Sequence, residues 1–142
     1  NPAILNMNVA YLSRNGNPVD VMKMPQGADF VAKVTVTNTG RRGSYTQMAL
    51  AQVFPSGWEI LNARMMDGEG AFKSSFATYQ DVRDDRVYTY FDIGENQTHT
   101  YYIQLNATYP GRYYLPSSKC HAMYDNNINS STAGKWVEVL SN

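Results

Sequence analysis

Between Phe30 and Thr37 the chain alternates: Phe30, Ala32, Val34 and Val36 fall on one side, Lys33, Thr35 and Thr37 on the other. A repeat of two matches a β-strand, whose successive side chains point to opposite faces. A helix would need apolar residues three and four apart. The same repeat returns between Thr98 and Thr108, where Tyr101, Ile103, Leu105 and Ala107 share a side. No segment of useful length shows the helical period, and no internal repeat is found.

The rest of the chain reads as further short strands cut by turn residues. Ile4 to Leu12 is a first strand, ended by Asn15-Gly16-Asn17-Pro18, and Val19 to Met24 a short second one, stopped by Pro25-Gln26-Gly27. Gln47 to Phe54 is nearly continuously apolar, as in a central strand. Pro55-Ser56-Gly57 turns the chain, and Trp58 to Leu61 continues extended. Residues 62–75 hold Gly68, Gly70, Ser74 and Ser75 and have no period, so they read as one long loop with room for a short helical turn. Phe76 to Val82 and Val87 to Ile93 flank Arg83-Asp84-Asp85-Arg86. Pro110-Gly111 is a tight turn, and Arg112 to Pro116 leads into Ser117 to Tyr124. Asp125 to Gly134 is rich in Asn and Ser and reads as a loop, and Lys135 to Leu140 closes the series. Strands spaced in this way predict an all-β fold, an antiparallel two-sheet β-sandwich of immunoglobulin or fibronectin-III-like architecture. The expected organisation is one domain over residues 1–142, a size that buries a sizeable core without disulfides or metals.

Composition removes several function classes. Lys and Arg number 12, as do Asp and Glu, so no net field draws nucleic acid or anionic lipid to the chain. No basic patch interleaved with aromatics suggests a nucleic-acid surface. No apolar run is long enough to span a membrane. The chain opens on Asn1-Pro2 with no leader, like a piece of a longer protein, so export is not legible. The 11 Tyr, 5 Phe and 2 Trp suit pleated, half-buried strands.

Candidate chemistry is sparse. Cys120-His121 sets a thiol beside an imidazole, as a small hydrolase would need, but neighbours on a strand face opposite ways, so a structural cysteine is the plainer reading. Asp125-Asn126-Asn127-Ile128-Asn129 begins like a calcium loop, yet Ser130 stands where Gly should be and Trp136 where the bidentate Glu should be. Asp81, Asp84 and Asp85 could gather a metal, but Arg83 and Arg86 among them favour an ion-paired turn. Tyr113, Tyr114, Trp58 and Trp136 could form a sugar-stacking platform, which would make the chain a carbohydrate-binding module of a secreted or envelope enzyme. Three Asn-x-Ser/Thr triplets are too short a pattern to carry weight. No Ser-His-Asp set, phosphate-cradling loop or paired metal ligands stand out, so the expectation is a non-catalytic chain without cofactor.

Three segments add a family. Ala51-Gln52-Val53-Phe54-Pro55-Ser56-Gly57-Trp58-Glu59-Ile60, the run Tyr79-Gln80-Asp81-Val82-Arg83-Asp84-Asp85-Arg86-Val87-Tyr88-Thr89-Tyr90-Phe91, and Leu115-Pro116 through Cys120-His121-Ala122-Met123-Tyr124-Asp125 together resemble the C-terminal macroglobulin-like domain of bacterial alpha-2-macroglobulins. That domain takes the place of the receptor-binding domain of the animal proteins. The resemblance implies a β-sandwich at the end of a much larger periplasmic or envelope lipoprotein that inhibits peptidases broadly. Bait cleavage rearranges the molecule, and a Cys-Gln thioester captures the attacker. No Cys-Leu-Glu-Gln occurs here, so any thioester lies on another domain.

In the family a Met-Tyr pair on this domain packs on the thioester domain, and Met123-Tyr124 matches it in place and flanks. The same two residues also read as ordinary packing, and the sequence leaves both standing. The implied partners are the thioester and neighbouring macroglobulin-like domains of the same chain, the trapped peptidases and, for some members, a penicillin-binding protein.

Overall fold

The computed structural model describes residues 5–40, 43–62 and 74–141. Twelve strands are seen among them: β1 (Leu5–Ser13), β2 (Met24–Pro25), β3 (Asp29–Asn38), β4 (Tyr45–Val53), β5 (Trp58–Asn62), β6 (Tyr79–Val82), β7 (Arg86–Ile93), β8 (Thr98–Ala107), β9 (Gly111–Leu115), β10 (Lys119–Ala122), β11 (Asp125–Ser131) and β12 (Lys135–Leu140). The described residues contain no helix. The long loop expected over 62–75, with its short helical turn, lies from 63 to 73 outside the described residues.

Two large sheets form the sandwich, one in the order β1-β3-β8-β5 and the other β11-β10-β4-β7-β6. Every pairing within them is antiparallel. The alternation seen in sequence supplies the facing surfaces. Phe30, Ala32, Val34 and Val36 of β3 and Tyr101, Ile103, Leu105 and Ala107 of β8 are all buried. Met48 and Leu50 of β4 with Phe91 and Ile93 of β7 face them from the other sheet, in one core with Val34, Val36 and Tyr101. A second core gathers Phe30, Trp58, Ile103 and Leu105 at the other end. There the Phe30 and Trp58 rings meet edge to face, with centroids 4.9 Å apart. Each large side chain buried in this way contributes about 1.5–3 kcal/mol. The apolar run at β4 does occupy the middle of its sheet.

A third, small sheet, β2-β12-β9, was not visible in the sequence. β12 pairs with β9 antiparallel and with β2 in parallel. Between β9 and β10 the chain changes sheets at Pro116, so the expected run from Arg112 to Tyr124 is two strands in different sheets.

Two expectations are corrected. Val19 to Met24 is not a strand; only Met24–Pro25 is. Asp20 accepts the Met22 amide at 2.9 Å and turns the chain, while Val21 and Met24 still reach the core. An Asx turn of this kind offers the backbone an alternative to a ladder. Asp125 to Gly134 is not a loop but contains β11, paired to β10. At a sheet edge only one inward apolar residue is needed, and Ile128 provides it.

Candidate interface at the Met123–Tyr124 hairpin tip

β10 and β11 are joined by two residues, Met123 and Tyr124, since Ala122 already pairs with Asp125. Both side chains face solvent, Met123 51% and Tyr124 82% exposed. Neither residue has positive φ. The tip is therefore not one of the mirror-image turns usual in two-residue hairpins. Instead β11 runs irregularly next to it. His121 pairs with Asn129 and Ala122 with Asp125, which leaves residues 126–128 as extra chain on one strand.

The neighbouring strand is irregular at the same level. Tyr45 pairs with Ile93 and Met48 with Phe91, so Thr46 and Gln47 together oppose Asp92. That is a β-bulge. Gln47 has φ 54°, a left-handed conformation that costs a residue with a side chain roughly 1–2 kcal/mol. Its amide donates to Asp92 Oδ1 at 2.8 Å, and its carbonyl accepts the Met123 amide at 3.0 Å. The tip is thus fixed through its backbone while its two side chains remain uncovered. Sequence reasoning missed Gln47 and Asp92, because a bulge shows only once two strands are in register.

The acidic and basic run lies in the tight turn between β6 and β7. Arg83 reaches back to Asp81, Nη2 to Oδ2 at 3.0 Å, and Arg86 holds Asp85, Nε to Oδ1 at 3.0 Å. Arg86 lowers the Asp85 carboxyl below its usual range, chiefly through their hydrogen bond. Asp84 stands at the turn and lines a shallow cleft with Trp58, Glu59, Ile60 and Tyr109. Among the described residues no three His, Cys, Asp or Glu side chains are grouped to hold a metal.

Cys120 is fully buried between the sheets, and burial pushes its thiol up to about 12. His121 is exposed on the opposite face of β10. A thiol that keeps its proton is neither nucleophile nor ligand. The sugar-platform residues are also separated. Trp58 is core, whereas Tyr114 and Trp136 are exposed cross-strand neighbours on β9 and β12. Their rings stand at 72° to each other, and the Arg112 guanidinium lies 4.9 Å from the Trp136 ring centre. No flat row of open rings results. The side chains of Asp125, Asn126 and Asn127, the start of the calcium-like run, lie outside the described residues.

The family model of the bacterial alpha-2-macroglobulin MG10 domain matches residues 5–127, a span that includes the Met123–Tyr124 tip. The chain belongs to this family. As an MG10 domain it is similar to an alpha-2-macroglobulin homologue of Yersinia pestis, 22% identical over 152 aligned positions, covering 92% of this chain and 7% of that protein. The MG10 chain therefore spans only a small part of the curated relative it matches. It is also similar in fold to native Escherichia coli alpha-2-macroglobulin solved from domain MG7 to the C-terminus. That likeness has a TM-score of 0.84 and 18% identity, over 96% of this chain and 23% of that one. Salmonella alpha-2-macroglobulin reacted with methylamine matches with a TM-score of 0.81 at 18% identity, over 96% of this chain and 9% of that one.

Proposed function

We propose that this MG10 domain is a non-catalytic contact domain of an alpha-2-macroglobulin-like peptidase inhibitor of the bacterial envelope. Through Met123 and Tyr124 it packs on the thioester domain of the same chain and keeps water and small amines from the thioester. After bait cleavage the contact breaks. The observation that carries this reading is the exposed pair on a backbone-anchored tip. A shield must present apolar side chains outward at a fixed height, and a buried pair could not.

The chemistry fits. A thioester lasts only where water is excluded, and a thioether beside an aromatic ring makes a dry cover able to repack when domains shift. Interfaces between domains of one chain are modest in area and are the usual place for such rearrangements. The burial of Cys120 and the crossed rings of Tyr114 and Trp136 favour this reading over a thiol hydrolase and over a sugar-binding module. Family membership makes the inhibitor role of the parent the natural setting.

The test uses the full-length parent. Met123→Ala combined with Tyr124→Ala should accelerate thiol release by methylamine before any peptidase is added. Unchanged methylamine reactivity of an intact thioester would sink the shield.

A further inference from the structure

We propose that Asp92 is a positioning residue for the Met123–Tyr124 tip, acting through Gln47. The proposal deepens the shield reading and rests on it, because it concerns how that contact is held ready.

Three facts converge. First, β4 carries an extra residue at the one place where β10 ends. Thr46 and Gln47 oppose Asp92, while on the other side Met48 pairs with Ala122, the last residue before the tip. Second, Gln47 is left-handed, φ 54°, and among the described residues only Asn96 shares that state without being glycine. Such a conformation persists in an ordinary side-chain residue only if its surroundings fix it. Third, the hydrogen bonds form a relay. Asp92 Oδ1 accepts the Gln47 amide at 2.8 Å, and the Gln47 carbonyl accepts the Met123 amide at 3.0 Å.

The physical sense follows from the ladder. In a regular strand the backbone groups of residue 47 would point in the plane of the sheet at the spacing of the pleat. The bulge takes that amide out of the ladder and leaves it at the exposed edge of the bulge, where water or a side chain can accept its hydrogen bond. Asp92 supplies the side chain, and a carboxylate accepts more strongly than a neutral carbonyl. With its amide held there, Gln47 turns its carbonyl toward the tip. Bulges of this type re-aim a neighbouring group at a functional surface. Asp92 is exposed and stands outside both cores, so the sandwich itself does not depend on it.

Amide hydrogen exchange on this 142-residue chain reads the relay directly. Asp92→Ala should speed exchange at the Met123 amide by about tenfold or more, the scale of one lost charge-assisted hydrogen bond. The amides of Leu50 and Phe91 should stay as they are. Asp92→Asn, which keeps an acceptor oxygen but loses its charge, should fall between the parent and Asp92→Ala. Adding Gln47→Gly to Asp92→Ala should slow Met123 exchange again, because glycine takes positive φ without support.

The idea is overturned if Met123 exchange in Asp92→Ala is unchanged, or rises only in step with Leu50 and Phe91. It is also overturned if Asp92→Asn behaves like Asp92→Ala, or if glycine at position 47 restores nothing. None of these outcomes involves the thioester. A failed relay leaves the methylamine experiment standing, and a failed shield leaves the relay standing.

Discussion

Tyr101 Oη donates a hydrogen bond to the Phe76 carbonyl 3.0 Å away, and His99 Nδ1 lies 3.0 Å from the same hydroxyl. Tyr101 belongs to β8 of the four-stranded sheet, while the stretch holding Phe76 leads into β6 of the other sheet. Ser74 and Ser75 hydroxyls accept the Tyr102 and Thr100 amides, and the Thr78 amide donates to the Tyr90 carbonyl. Residues 74–78 thus cross from one sheet to the other. Tyr101→Phe should keep the ring packing but orphan the carbonyl and the imidazole. A loss of about 1–3 kcal/mol is expected, read as a lower urea midpoint with an unchanged slope.

Acid should weaken the same corner. Burial lowers the His99 pKa below its usual value. The unfolded chain then binds the proton first as pH falls, so this contribution is present above about pH 6.5 and is lost below it. Comparing the urea midpoints of the parent and His99→Phe at neutral and at mildly acid pH checks the sign. A parent that loses no more stability on acidification than the variant contradicts it.

Alkali should act through Cys120. Burial raises its thiol from 9.0 to about 12, so between those values the unfolded chain has released a proton that the fold retains. The contribution is complete below pH 9 and disappears as pH approaches 12. Burial raises the hydroxyls of Tyr11 and Tyr101 as well, which adds to the loss at high pH. At neutral pH, iodoacetamide should leave Cys120 unmodified in the folded chain and label it after denaturation. Fast labelling of native protein would contradict the buried placement.

The tip should be separable from the fold. Met123 and Tyr124 belong to neither core. Met123→Ala with Tyr124→Ala should therefore move stability by no more than about 0.5 kcal/mol, the usual range for surface changes. Thermal unfolding of the double variant checks this. A large loss would mean that the pair serves packing and not contact.

Much of this structure was already present as a local pattern. The buried sides of β3 and β8, the central place of β4 and the close of the chain at β12 follow from alternation, which each strand carries within itself whatever its partner. The opposite faces of Cys120 and His121 follow from the same geometry. β11 was hidden because an edge strand can be built from Asn and Ser when its neighbour supplies the ladder and Ile128 reaches the core. The third sheet was hidden because β2 is two residues long and exists only where β12 passes beside it. Met123 and Tyr124 could be picked out by resemblance, but their exposure, and the tie through Gln47 to Asp92, depend on two strands brought into register with one residue too many. Side-chain periodicity is written along the chain, whereas register and bulges arise from the mismatch between segments far apart in it, so only the assembled sheets could decide them.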